Sequence, residues 1–177
     1  MTAEEFNRAL PFVRDWIGQT LAASAATART TASFNFPRLP AYYSRALLAR
    51  AKVVLVDRVP TPPLSSIGLS RFADFENMDA SGITYLDTYF IRRPEAGRES
   101  LHFHELVHVI QWQVLGAEKF LALYADGLEK HGYRNSPLEV MAYDHESRFK
   151  QNAEPCSVEA EVRQQIEAAQ FNSLWRD

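Results

Sequence analysis

Residues 99–116 read ESLHFHELVHVIQWQVLG, and no other segment restricts the fold as tightly. Phe103, Val107, Ile110 and Val114 recur at helical spacing and form a stripe that docks the segment on a core. A helix this apolar belongs inside a protein, yet it carries three of the five histidines, His102, His104 and His108, together with Glu105. Buried imidazole and carboxylate groups are costly unless every polar atom is paired or holds an ion. His104 and His108 stand four residues apart, one turn along the same side of a helix. The opposite side carries the apolar stripe, which leaves the histidine side to face a cleft. Two imidazoles so placed can share a tetrahedral ion, and zinc suits neutral nitrogen donors. Glu105 lies close enough to reach water at such an ion without occupying a coordination position. His102 is about 200° around the helix from His104 and cannot join the same site; a surface or capping role is expected. Gln111 follows His108 by three residues and can meet substrate or fix that histidine's outer nitrogen.

The remaining pattern predicts an α+β chain whose composition shifts from mixed, β-forming sequence to helices. Residues 4–31 read as one helix, with Phe6, Leu10, Val13, Ile17 and Leu21 near a 3.6-residue repeat and Pro11 as a possible kink. AYYSRALLARA is a short helix. KVVLVDRV is a strand, stopped by PTPPLSSIGLSRF, and GITYLDTYFI, residues 82–91, is a second strand. Three further helices are expected: AEKFLALYADGLEKHG after a break at Gly116, one over 137–152 and one over 157–174. A length of 177 residues fits a single domain spanning 1–177.

A catalytic zinc commonly takes three protein ligands. The strongest source of a third is NSPLEVMAYDHESRF, where Glu139, Tyr143 and Glu146 share one helical face. Glu139 has the best claim, with Glu146 in reserve. Glu139 also fits a capping box with Ser136, in which its carboxylate turns back to the helix start. His145 lies nearly opposite Glu139, and His131 sits in a turn that can fold over the ion or remain in solvent. Tyr133 and Tyr143 compete to donate a hydrogen bond to an oxygen gaining charge.

HELVH resembles the active-site motif of the zincin metallopeptidases, HExxH on a helix. The resemblance implies His104 and His108 as metal ligands and Glu105 as general base. NSPLEVMAY is similar to the second helix that supplies the third ligand in the glutamate-ligand zincins, or gluzincins. The chain also resembles small bacterial HExxH proteins with the pattern HELxHxxQ followed by N-P-x-E-x-x-A, matched at His104, Glu105, His108 and Gln111 and more loosely at Glu139, Ala142 and Tyr143. It departs from the thermolysin-like pattern, which has an aspartate where Tyr143 stands and a shorter interval than the 31 residues from His108 to Glu139. Over residues 83–150 the resemblance implies a small zincin-like domain, a short sheet packed on the active-site helix, bound Zn2+, and hydrolysis of a peptide or protein substrate with Tyr143 as a candidate catalytic residue. In that family a strand before the helix borders the cleft and pairs with extended peptide.

Other classes fit poorly. The chain has no GxGxxG, no GxxxxGK[ST] and no G-x-S-x-G. A formal charge of −3 argues against a nucleic-acid surface, and no apolar run approaches the roughly 20 residues of a membrane span. The acidic start MTAEEF lacks a secretory pattern, so a cytoplasmic protein is expected. Cys156 is the sole cysteine, which excludes an internal disulfide or a thiolate-rich zinc site. The functional alternative is a non-catalytic interaction or scaffold domain with a structural zinc closed by four protein ligands.

Overall fold

The computed structural model describes residues 1–171. Helix α1, Ala3–Ser24, starts at a capping box: the Thr2 hydroxyl accepts the Glu5 amide while the Glu5 carboxylate accepts the Thr2 amide. Pro11 is accommodated within it. The helix ends seven residues before the expected position of 31; the alanine-rich tail turns instead, and Arg29–Thr30 becomes strand β1. Helix α2 (Arg45–Arg50) leads into β2 (Lys52–Val56), and a short helix α3 (Ala73–Glu76) follows the proline-rich stretch.

The predicted strand 82–91 is a hairpin, β3 (Gly82–Tyr85) and β4 (Thr88–Arg92). Leu86 and Asp87 form the two-residue turn between the paired Tyr85 and Thr88. Leu86 takes the positive φ of 58° there. Such turns normally advertise themselves with glycine or asparagine, which explains why the strand looked continuous. The sheet order is β1-β2-β4-β3, with β2 and β4 parallel and the two outer pairs antiparallel. β3 is therefore an edge strand. Val53, Tyr89 and Ile91 project into a core shared with α2 and with helices α4 (Glu99–Leu115) and α7 (Val158–Phe171). Val54 and Phe90 alternate to the other side, where Ile17 and Trp16 of α1 cover them.

Helix α4 runs through the centre. Every residue from Leu101 to Trp112 is buried, so no face of it lies on the surface, and on the histidine side Glu105 and His108 line a cavity. Gly116, at φ 74°, closes α4 and opens α5 (Ala117–His131) without an intervening loop. α6 (Pro137–Lys150) and α7 pack against α4. The result is a mixed α+β architecture with a small sheet and a mostly helical C-terminal half. The last helix follows the predicted 157–174 as far as Phe171; positions 172–174 lie outside the described residues.

Candidate metal centre

One turn of α4 and the first turn of α6 bring His104, His108 and Glu139 together, at 3%, 5% and 1% exposure. The two Nε2 atoms are 3.1 Å apart. One carboxylate oxygen of Glu139 faces each imidazole, both at 3.4 Å. A tetrahedral ion with bonds of about 2.0–2.1 Å requires donor atoms separated by about 3.3 Å. The observed spacing meets that requirement, so these three residues could hold a metal ion. Glu139 Oε2 is buried with no hydrogen-bond partner, and an ion at this position would supply the missing interaction.

The orientation of His108 follows from its neighbours. Gln111 donates its Nε2 to the Leu138 carbonyl at 3.0 Å, which turns its Oε1 toward His108 Nδ1 at 2.8 Å. An amide oxygen only accepts, so Nδ1 carries the proton and Nε2 presents its lone pair to the centre. Behind His104, Glu146 Oε2 stands 3.6 Å from Nδ1, while Glu146 Oε1 is paired with Lys150 at 2.6 Å. Glu146 thus backs His104 from the far side instead of joining the triad.

Glu139 makes no capping box. The Ser136 side chain caps nothing, and Tyr124 of α5 donates to Glu139 Oε1 at 2.8 Å. Burial works to raise the Glu139 pKa, but His108 and His104 outweigh it and hold the carboxyl well below its usual range. Burial likewise works to lower His104, and Glu139 and Glu146 overcome it, holding the imidazole at about 10. These are two views of one coupled group.

Glu105 points toward β3, where the Thr84 hydroxyl donates to its Oε2 at 2.7 Å. Desolvation raises its pKa despite the nearby imidazoles. Gly82 leaves the space for the other oxygen: a Cβ there would lie 2.4 Å from Glu105 Oε1. Thr84 and Gly82 belong to the edge strand, so the hairpin's first arm, rather than a single strand ending at Ile91, borders the centre. Tyr124, Thr84 and Gly82 escaped the sequence reading. A glycine two residues before a threonine in an apolar strand is a faint sign of close approach, and nothing in α5 marks Tyr124.

The tyrosines separate. Tyr143 lies against the His104 ring, centroids 4.6 Å apart, with the Arg134 guanidinium 4.7 Å over its own ring. Tyr133 lines a cavity together with Glu105, His108 and Glu139. His131 ends α5 in solvent, and His145 turns to α7, hydrogen-bonding Gln165.

His102 corrects the surface expectation. It is fully buried, with Nδ1 3.0 Å from the Tyr89 hydroxyl and Nε2 3.0 Å from the Ala96 carbonyl. Phe34 and Phe36 flank its ring. Burial lowers its pKa to about 4, so it serves as a neutral polar staple between sheet and helix.

Comparison with protein-family models, curated proteins and solved structures finds no match. Among the described residues no helix is long and apolar enough to cross a membrane.

Proposed function

We propose that the protein is a zinc-dependent peptide-bond hydrolase of restricted specificity, with a zincin-like arrangement and a gluzincin-like ligand set. The observation that carries this reading is the convergence of His104, His108 and Glu139 at metal-ligand spacing, with the adjacent Glu105 carboxylate fixed by Thr84. His104, His108 and Glu139 would hold the ion. Zinc in such a site supplies Lewis acidity toward a carbonyl oxygen and toward water. Glu105 accepts the proton from the attacking water and returns it to the leaving amine. Tyr133 or Tyr143 donates to the carbonyl oxygen as it gains charge. Gln111 fixes the His108 imidazole from behind, and the Glu146 carboxylate backs His104 electrostatically. A structural zinc in a scaffold domain would need a fourth protein ligand, and the cluster among the described residues holds three.

The deciding experiment compares wild type and Glu105→Gln against an unbiased peptide library while measuring bound zinc. Turnover is expected to fall at least about 10²-fold with zinc and fold retained. Equal turnover removes Glu105 from the mechanism. Zinc bound equally well by Glu139→Ala removes Glu139 from the ligand set.

A further inference from the structure

The metal centre opens onto a cavity that the resemblance does not account for. About half of its wall comes from outside residues 83–150, including Phe6 and Leu10 of α1 and Leu69, Phe72 and Phe75 around α3, and Leu128 of α5 stands opposite. About 100 Å³ is free to the centres of water molecules, where one water needs only about 10–15 Å³. Polar side chains in the lining gather at the metal end. Thr84 there bonds Glu105, Tyr124 bonds Glu139, and His108 faces Glu139. Beyond them the wall is almost wholly hydrocarbon.

Water gains few hydrogen bonds against such walls, and an empty apolar space of this size forfeits packing energy. A cavity of one-sided polarity therefore suits an occupant with an apolar body and one polar head. We infer that the chamber between α1, α3 and α5 is a binding site for a bulky apolar group carried by the substrate, seating the adjoining amide at Glu105, His108 and Glu139. This deepens the hydrolase reading and rests on it for the role of the amide. The occupancy itself depends only on the chamber. Two sources share this chemistry, an aromatic or long aliphatic amino-acid side chain and an acyl chain.

Trp112 lines the same chamber and gives it an optical signal. Acetamide, n-octanamide and N-acetylphenylalaninamide would be titrated into metal-stripped and zinc-loaded protein, read by tryptophan emission and calorimetry. At least one larger amide is expected to bind about tenfold or more tightly than acetamide in both forms, since each buried methylene contributes a few-fold. A stronger gain for N-acetylphenylalaninamide assigns a peptide side chain, and one for n-octanamide assigns an acyl chain. Ala125, half-buried in the lining, offers a filling variant: Ala125→Phe should abolish the preference with its melting transition retained. Equal binding of all three amides by wild type overturns the inference whether or not the variant folds, as does an unchanged preference in a folded Ala125→Phe. Failure to retain zinc, with the preference intact in stripped protein, sinks the hydrolase reading and leaves the chamber standing.

Discussion

Gly82→Ala probes the centre from a strand that carries none of the metal-ligand candidates. Gly82 is buried, pairs with Ile91 and has no left-handed φ, so alanine can adopt its backbone and the whole cost falls on contact. The new Cβ would stand 2.4 Å from Glu105 Oε1 and 2.9 Å from its Cδ. Ordinary contact begins near 3.4 Å, so about 1 Å of movement is required. The strand is held by its pairing to β4 and by the Trp112 indole, which donates to the Thr84 carbonyl at 3.1 Å. The carboxylate gives way more easily, at the cost of its bond from Thr84. Displacing a reacting group by about 1 Å costs on the order of 10²-fold in rate. Stability should fall by only about 1–2 kcal/mol, because the far end of one side chain absorbs the clash. The assay combines peptide turnover, zinc content and thermal unfolding. Turnover should drop about 10²-fold with zinc unchanged, and Gly82→Ala should add little to Glu105→Gln because both act on one group. Wild-type turnover in Gly82→Ala, or a structure of it with Glu105 unmoved, refutes the reasoning.

Gln111→Leu removes the acceptor that fixes His108 Nδ1 and should weaken zinc binding by about 10–100-fold, measured by competition with a chelator; unchanged affinity would show that Gln111 does not orient the histidine. His102→Phe fills the same space but leaves the Ala96 carbonyl without its partner, and should cost about 1–3 kcal/mol in chemical denaturation with zinc affinity unaltered; lost zinc would contradict its separate, structural role. Glu105→Gln in metal-stripped protein should unfold at the same temperature as wild type or higher, because it replaces a desolvated carboxyl by a neutral amide. A marked fall in melting temperature would mean that the carboxylate is a structural partner first.

The legible parts of the chain were those with strong local signals. β2 and the helices around the motif follow from β-branched runs, periodicity and the break at Gly116. The 82–91 hairpin was hidden because Leu86 occupies a positive-φ position without glycine's signature. His102 misled because helical angle measures only separation from His104; its partners Tyr89 and Ala96 are set by how β4 packs on α4. Of the centre, spacing within one helix could be read directly, and the approach of α6 could be anticipated from a missing ligand. The groups that hold it from other elements, Thr84 of β3 and Tyr124 of α5, are brought there only by tertiary packing.

Packing also sets a charge problem that bears on why such a centre would take a divalent ion. Glu105, Glu139 and Glu146 converge on two imidazoles inside a helix buried from Leu101 to Trp112. Lys150 answers Glu146 from the protein's exterior. A proton on His104 can answer Glu139, as its raised pKa indicates. At Glu105 desolvation outweighs the nearby imidazoles and the Thr84 hydrogen bond, and its pKa is raised. A divalent cation among His104, His108 and Glu139 would displace that proton and bring two positive charges beside Glu105, favouring the carboxylate. If Glu105 is the base of the proposed hydrolysis, the ion that His104 and His108 of α4 and Glu139 of α6 would bind also favours its proton-accepting form, so metal affinity and proton acceptance would be coupled.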